Sequence, residues 1–395
     1  MADQQKSIGF NTRAAKTYLD GKKVRRPLTV PITQGNIFQI ESSEMLGKLF
    51  KDGADEVYTR FGNPTLTAAC EKCASLEGAE SALVFSSGMG AISTALLTML
   101  RSGDHVVTQQ NIFAQTFTFL TSVGKSLGIE SSFVNASNPE EVHGAIRPST
   151  KLVYIETPSN PLLQIVDIRA IVEIARAANL PVFVDNTFAT PYVQKPITLG
   201  ADLVLHSGSK YFAGHNDLMC GIAAGKASLI KRLRQMQILL GNILDPHAAW
   251  VLLRGIKTLA VRVQRQSENA YAVARFLESQ KKIARVNYPL LESSPQFQVA
   301  RSQMSCGGGM VSFEPIGGVE ASREFLNALE LITVTTSLGG VESVIEIPSD
   351  LDFSSDEIGE GVKQMAISPA LIRLSVGIED IDDLKNDLQR ALAAI

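Results

Sequence analysis

The most informative part of this chain is Leu203-Val204-Leu205-His206-Ser207-Gly208-Ser209-Lys210. Its apolar first half predicts a buried strand, and its small, hydroxyl-rich second half predicts a turn that presents one lysine. In open α/β sheets, ligands bind beyond the carboxyl ends of the strands. An amine at such an end, beside two serine hydroxyls, suits an aldehyde cofactor with a phosphate, because the amine forms a Schiff base and the hydroxyls hold the phosphate.

Size and composition narrow the class of protein. The chain has 395 residues and 45% hydrophobic residues, enough for a large core and more than one domain. Its net charge of -3 gives no reason to expect nucleic acid or an anionic membrane as a partner. The polar first twenty residues lack the apolar core of a signal peptide, and four cysteines in this length fit a reducing compartment. We therefore expect a cytoplasmic protein.

A cysteine pair and two histidines are candidate metal or redox groups. Cys70 and Cys73 form a C-x-x-C, but no second pair or nearby histidine completes a zinc set. Two small residues one turn apart on a helix are the favoured interpretation. His206 and His215 bracket the lysine turn without further ligands at a suitable spacing, so hydrogen bonds that shape the loop are favoured. We expect no metal.

Strand and helix patterns alternate from Ala79 onward. Predicted strands cover 81–85, 105–108, 151–155, 181–184 and 202–205, and predicted helices cover 91–100 and a segment capped by Asp167. Alternation of this kind predicts a mostly parallel sheet covered on both faces, which is an α/β fold.

The pattern changes near residue 250. One long helix is predicted over 250–280, and an alternating strand is predicted over 310–313, which suits a smaller α+β domain. The first sixty residues lack strong periodicity and predict an extended arm. We therefore divide the chain into an arm over 1–60, a large cofactor-binding domain over 61–255 and a C-terminal domain over 256–395.

Four further segments carry candidate site residues. Ser87-Gly88-Met89-Gly90 joins a strand to a helix, where backbone amides bind phosphate and glycine permits close approach. Asp185 ends a buried strand and suits the protonated nitrogen of a pyridine ring, although capping of the next turn is an equal alternative.

Asn160 lies in a proline-bounded loop, where it is either a donor to a cofactor oxygen or an ordinary turn residue. Tyr58 and Arg60 are two residues apart, which in an extended segment places both side chains on one side, as a phosphate clamp needs. The alternative is a surface turn with an incidental arginine.

Taken together, these segments resemble the Cys/Met-metabolism family of pyridoxal phosphate enzymes, which includes cystathionine γ-synthase, the γ-lyases and the O-acylhomoserine sulfhydrylases. The resemblance runs from Asn11 to Arg373-Leu374-Ser375-Val376-Gly377. It implies fold type I, the aspartate-aminotransferase-like fold. It also implies a homotetramer built from two active dimers, with pyridoxal 5'-phosphate as cofactor and a small amino acid as substrate.

The resemblance also implies a role for each candidate residue. Lys210 is the implied Schiff-base lysine and Asp185 the implied partner of the pyridine nitrogen. The implied phosphate ligands are Gly88, Met89, Ser207 and Ser209 from one subunit with Tyr58 and Arg60 from its neighbour. The implied substrate-carboxylate ligands are Arg373, Ser337 and Asn160.

Several positions depart from the family pattern and bear on the substrate. Phe113 stands where most members stack a tyrosine on the cofactor, so stacking is kept but the proton-carrying phenol is lost. Val57 and Thr336 replace the acidic residues expected in relatives that handle cystathionine, and Gln115 replaces the cysteine of methionine γ-lyases. The phenylalanine and the valine both resemble O-succinylhomoserine sulfhydrylases, whereas Ile347-Pro348-Ser349-Asp350-Leu351-Asp352 replaces the usual histidine-rich segment.

The leading hypothesis is therefore γ-replacement or γ-elimination on an O-substituted homoserine-type amino acid, in the manner of an O-acylhomoserine sulfhydrylase. Lys210 is expected to move protons, and Phe113 to stack on the cofactor. The alternative is a γ-lyase that acts on an oxygen-linked, canavanine-like amino acid or on methionine or cystathionine. A non-catalytic regulator that binds the cofactor is a remote third hypothesis, because a pure binder has no need of the full set of residues.

Overall fold

The computed structural model describes residues 8–22, 24–52, 57–351 and 367–395. Within these ranges the chain forms a seven-stranded and a five-stranded sheet. The strands of the first sheet are β1 (Ser81–Phe85), β2 (His105–Gln109), β3 (Glu130–Val134), β4 (Thr150–Glu156), β5 (Val182–Asp185), β6 (Leu203–Ser207) and β7 (Gly221–Gly225). Those of the second are β8 (Ile283–Asn287), β9 (Met310–Pro315), β10 (Thr333–Val334), β11 (Val344–Glu346) and β12 (Ile372–Ser375).

The helices follow in chain order. The first seven are α1 (Phe10–Ala15), α2 (Ser43–Asp52), α3 (Pro64–Glu77), α4 (Gly88–Met99), α5 (Ala114–Thr118), α6 (Pro139–Ala145) and α7 (Ile168–Ala177). The others are α8 (Thr190–Val193), α9 (Ala227–Leu240), α10 (Pro246–Ile256), α11 (Leu259–Glu278), α12 (Phe297–Gln303), α13 (Gly318–Asn327) and α14 (Ile381–Ala394). A π-helical turn covers Phe119–Gly124, and 3-10 turns cover Pro196–Leu199 and Pro348–Asp350.

The large sheet brings three strand ends together. Its order is β1-β7-β6-β5-β4-β2-β3; β7 runs antiparallel to β1 and β6, and the pairs from β6 to β3 are parallel. In the parallel part, Glu156 of β4 lies opposite Asp185 of β5, and Asp185 lies opposite Leu205 of β6. The carboxyl ends of β4, β5 and β6 therefore form one edge, from which the lysine turn continues.

Both faces of this sheet are covered. Tyr154 and Phe183 belong to a core that includes Leu96 of α4, whereas Val153 and Val184 pack with α7 on the opposite face. Alternate residues of each strand thus lie in different cores, as expected of strands buried on both sides. The prediction of a mostly parallel, two-sided α/β sheet is confirmed.

The second sheet has the order β10-β11-β12-β9-β8. Its inner face packs against α11 and α14 through a core that includes Val273, Phe313, Leu374 and Leu388. In the antiparallel pairing of β11 with β12, Glu346 lies opposite Arg373. This pairing fixes where an arginine of the second sheet meets the edge of the first.

The predicted strands agree with the observed ones to within two residues at each end. The single helix predicted over 250–280 is wrong, because α10 ends at Ile256 and α11 begins at Leu259. Two side-chain hydrogen bonds stabilise the break. The Arg262 guanidinium donates to the Gly255 carbonyl oxygen over 2.9 Å and to Thr258 Oγ1 over 3.0 Å.

The expected extended arm contains two short helices, α1 and α2. Helix α1 is tied to α3, since the Lys72 ammonium donates to the Arg13 carbonyl oxygen over 2.7 Å. The domain boundaries at residues 60 and 255 stay a prediction. In the described ranges no helix combines the length and the apolar composition that a membrane crossing requires.

Candidate active site

Asp185, at the end of β5, is a buried carboxylate with unequal oxygens. Oδ1 accepts from the Thr187 amide over 2.9 Å and from the Thr187 hydroxyl over 2.6 Å, whereas Oδ2 lies 3.5 Å from the Tyr154 hydroxyl. Burial raises the pKa of Asp185, and the two bonds from Thr187 oppose this shift. One oxygen is therefore firmly held, and the other is suited to a cationic N–H donor.

The turn before α4 approaches the end of β6 closely. Ser87 caps the helix by accepting from the Gly90 amide over 2.9 Å. A Cβ placed on Gly88 would lie 2.9 Å from Ser207 Cβ, so a side chain does not fit there. The first turn of α4 therefore lies against the Ser207 turn, and the amino end of a helix is a typical site for a phosphate. Met89 follows directly on the same helix.

Ser207 and Ser209 have different partners. The Ser207 amide donates to Thr187 Oγ1 over 2.9 Å, which ties the turn to the Asp185 loop. The Ser209 hydroxyl donates to the Cys220 carbonyl oxygen over 3.2 Å and accepts from the Cys220 amide over 2.9 Å. Donation from Ser209 to a phosphate would thus replace its bond to that carbonyl.

Lys210 follows β6 of the large sheet and contacts the segment that precedes β11 of the second sheet. Its ammonium donates to Ser337 Oγ over 2.8 Å. Burial and the nearby Arg373 charge lower the pKa of Lys210, while the Glu346 carboxylate opposes the shift. A lowered pKa increases the fraction of neutral amine, the form that attacks carbonyl carbons and accepts protons.

Arg373 of β12 is the buried cation of the site. It donates to Asn160 Oδ1 over 2.9 Å and to the Ser337 carbonyl oxygen over 3.2 Å, and it pairs with Glu346 over 2.6 Å. Ser337 has a φ of 83°, which is strained for a serine and is typical of functional positions. Lys210, Ser337, Arg373 and Asn160 therefore form one connected cluster.

Phe113 precedes α5 with its ring partly exposed, as a stacking residue requires. Its backbone amide donates to Glu156 Oε2 over 2.9 Å, while the Asn160 amide donates to Glu156 Oε1 over 2.8 Å. The loops after β2 and β4 are thus joined through one carboxylate.

Sequence reasoning missed Glu156, Glu346, Thr187 and Tyr154. The signal for Glu156 was present, because an acidic residue at the end of a buried strand needs partners. Glu346 lies immediately before the segment that departs from the family pattern, and its 3-10 turn places Asp350 in an ion pair with Arg323 over 2.8 Å. Asp352 lies outside the described residues.

Tyr58 and Arg60 are exposed, whereas the intervening Thr59 and the preceding Val57 are buried. The segment is a turn after Tyr58, as in the alternative interpretation, and not an extended segment, yet both side chains remain on the exposed side. The Arg60 guanidinium lies 5.5 Å from the Tyr58 ring centroid and 5.1 Å from that of Phe61.

The candidate metal groups have other contacts. His206 lies inside β6 rather than in a loop, and its Nε2 is 2.5 Å from Glu77 of α3. His215 Nδ1 is 2.7 Å from the Ala213 carbonyl oxygen. Cys70 and Cys73 both lie on α3, and neither forms a disulfide within the described ranges. In the described ranges no three His, Cys, Asp or Glu side chains lie together in a way that could hold a metal ion.

The residues present fit pyridoxal phosphate. The weakly satisfied Oδ2 of buried Asp185 suits a pyridinium N–H, and the contact of Gly88 with Ser207 leaves backbone amides for a phosphate. The lowered pKa of Lys210 suits a Schiff base with the aldehyde. Arg373 and Asn160 supply donors for a substrate carboxylate beside that amine.

Comparison with known proteins gives a consistent result. The family model described as "Cys/Met metabolism PLP-dependent enzyme" matches residues 11–393. The L-methionine gamma-lyase of Pseudomonas putida is 41% identical over 397 residues, which span 100% of each chain. The cystathionine gamma-lyase of Bacillus subtilis is 44% identical over 339 residues, 86% of this chain and 89% of the relative.

Solved structures agree. The crystal structure of metB from Corynebacterium glutamicum has a TM-score of 0.92 at 37% identity, covering 98% of this chain and 99% of the other. The cystathionine gamma-lyase of Lactobacillus plantarum complexed with L-serine has a TM-score of 0.90 at 36% identity, with the same coverage. The predicted fold type I architecture is confirmed.

Proposed function

The chain belongs to the Cys/Met metabolism family of pyridoxal phosphate-dependent enzymes, and from this premise we propose that it is a γ-lyase. Its substrates are water and an amino acid with a leaving group on Cγ, and its products are the protonated leaving group, a 2-oxo acid and ammonia. The observation that carries the proposal is the cluster in which Lys210 lies 2.8 Å from Ser337 Oγ, and Ser337 in turn contacts the carboxylate-binding Arg373.

Each residue has a task in this reaction. Pyridoxal phosphate, when bound, supplies an electron sink for the charge that forms at Cα and Cβ. Arg373 and Asn160 bind the substrate carboxylate and orient the Cα–H bond toward Lys210. Lys210 removes the Cα proton and carries protons along the substrate chain. Asp185 would hold the proton of the pyridine nitrogen, and the Phe113 ring would stack on the cofactor.

The lyase assignment replaces the sulfhydrylase-like expectation. The named relatives are methionine and cystathionine lyases, and the regulator hypothesis is dropped because this family consists of enzymes of the trans-sulfuration type. Relatives of this kind favour a sulfur-linked γ-substituent.

Phe113 favours a second candidate, an oxygen-linked γ-substituent. A phenylalanine supplies no proton to the departing group, so a group that leaves easily is an advantage. Val57 is buried and Thr336 is uncharged, so neither supplies the acidic partner that the distal ammonium of cystathionine needs. A substrate panel separates the candidates.

The panel contains methionine, cystathionine, O-acetylhomoserine, O-succinylhomoserine and canavanine, each with and without sulfide, and products are identified by mass. Formation of 2-oxobutanoate without added sulfide supports the lyase. Turnover that requires sulfide and yields a thiol amino acid would overturn it in favour of γ-replacement.

We further propose that two subunits share each site within a homotetramer. Tyr58 and Arg60 are exposed on a segment that also exposes Ile37 and Phe50, which suits contact with a second copy. Mixing inactive Arg60→Ala and Lys210→Ala subunits should restore part of the activity, because some mixed dimers regain one intact site. No recovery despite measured subunit exchange would contradict a shared site.

A further inference from the structure

Glu156 connects two loops that follow different strands of the large sheet. One loop follows β2 and carries Phe113, and the other follows β4 and carries Asn160. Each oxygen of the Glu156 carboxylate accepts one backbone amide, Oε2 from Phe113 and Oε1 from Asn160. The distance between the backbones of Phe113 and Asn160 therefore depends on the side chain of Glu156.

The backbone of Glu156 is itself fixed. Its amide donates to Gln109 Oε1 over 2.9 Å, and its carbonyl oxygen accepts from Gln109 Nε2 over 2.8 Å. Glu156 is buried, at 4% exposure, and lies in register with Asp185. A side chain anchored at its backbone and held at both oxygens has little freedom, so it transmits the position of the strand to both loops.

A buried carboxylate beside Asp185 is costly unless its oxygens accept hydrogen bonds, and here each oxygen accepts one backbone amide. Burial and the Asp185 charge raise the pKa of Glu156, whereas the two amides and Arg373 lower it. Both carboxylate oxygens of Glu156 act as hydrogen-bond acceptors for backbone amides. A glutamine cannot replace them, because its side chain has one acceptor oxygen and one donor nitrogen.

We propose that Glu156 is a positioning residue that sets the distance between the cofactor-stacking Phe113 and the carboxylate-binding Asn160. The proposal deepens the proposed function, on which it rests for the roles of these two residues. Loss of one amide contact releases one loop, so Glu156 acts on substrate binding through Asn160 and on cofactor binding through Phe113.

The test uses Glu156→Gln and the milder Glu156→Asp, which keeps the charge but is too short to hold both amides. We expect KM to rise about tenfold in Glu156→Gln, equivalent to about 1.4 kcal/mol, which is about the size of one hydrogen bond to a charged group. The Kd of the cofactor for the apoprotein, measured by absorbance titration, should rise severalfold in both variants.

Two controls separate positioning from general destabilisation. Val153→Ala removes buried volume from the opposite face of β4, so it should lower Tm without changing KM or the cofactor Kd. In an Asn160→Ala background, Glu156→Gln should raise KM by less than twofold, because the residue through which it acts is gone.

The proposal is overturned if Glu156→Asp keeps the wild-type cofactor Kd and KM, or if the Glu156→Gln and Asn160→Ala effects on KM simply multiply. The cofactor Kd is independent of the reaction catalysed. Failure of the γ-lyase assignment would therefore change the substrate used for KM but leave the cofactor arm of the experiment intact.

Discussion

At the scale of single residues, the site is a balance of charges around one amine. Lys210 is pushed toward its neutral form by burial and by Arg373, and Glu346 opposes both. Glu346 pairs with Arg373 through one oxygen, and its second buried oxygen has no hydrogen-bond partner among the described residues. The protonation of Lys210 therefore depends on the charge of Glu346, whereas its ammonium donates to Ser337.

Glu346→Gln should lower the pKa of Lys210 further, because it removes the negative charge that raises it. Imine formation needs the neutral amine, so cofactor capture by the apoprotein should reach half its maximal rate at a lower pH. Stopped-flow absorbance across a pH series measures this midpoint. A midpoint that is unchanged or higher would show that the Glu346 charge does not raise the pKa of Lys210.

Phe113→Tyr should restore a proton donor near the departing group. We expect kcat/KM for methionine to rise about tenfold relative to that for O-acetylhomoserine, because a thiolate gains more from a donated proton than a carboxylate does. Steady-state kinetics with both substrates supply the ratio. Equal changes for the two substrates would mean that Lys210 or water supplies the proton.

At the scale of secondary-structure elements, the site depends on how closely α4 approaches β6. Gly88 provides that approach, since any side chain there meets Ser207. The same contact ties the amino end of a helix to the turn that carries Lys210.

Gly88→Ala should raise the cofactor Kd by at least tenfold and lower Tm, because the added Cβ would lie 2.9 Å from Ser207 Cβ and force the two elements apart. Gly144→Ala is the matched control, because Gly144 is also helical and has no neighbouring atom within 4 Å of an added Cβ. Equal cofactor affinity in the two variants would show that the close approach does not shape the phosphate site.

Much of this arrangement could be predicted from sequence. Buried strands and the lysine turn have strong local patterns, so their positions and the parallel sheet followed directly. The break between α10 and α11 was missed because it depends on the position of the Arg262 side chain, which also donates to the Tyr211 carbonyl oxygen of the distant lysine turn. Glu346 was missed for the same reason, since its pairing with Arg373 exists only after β11 and β12 align.

At the scale of the whole molecule, a buried histidine makes the stability of the fold depend on pH. His105 of β2 is buried between Thr150 and Ser132, with its two ring nitrogens 2.8 Å and 2.9 Å from their hydroxyl oxygens. Burial, followed by the Arg147 charge, lowers its pKa to about 4. The folded protein therefore favours the neutral ring.

His105 should make the fold less stable in mild acid. Its pKa is about 6.5 in the unfolded chain and about 4 in the folded one, so the unfolded state gains a proton first as pH falls. The contribution of His105 to the free energy of unfolding is fully present above about pH 6.5 and is lost progressively as the pH falls toward about 4. The Tm difference between pH 7.5 and pH 5 should be smaller in His105→Gln, and an equal difference would contradict this origin.

We propose that Lys210, whose ammonium lies 2.8 Å from Ser337 Oγ, is the amine that carries pyridoxal phosphate. Borohydride reduction of the holoenzyme fixes the cofactor to its lysine, and peptide mass spectrometry then identifies that lysine. Lys72 is a genuine competitor, because burial lowers its pKa to about 8. The label is expected on the peptide that contains Lys210. A label on Lys72 or on any other lysine would contradict it.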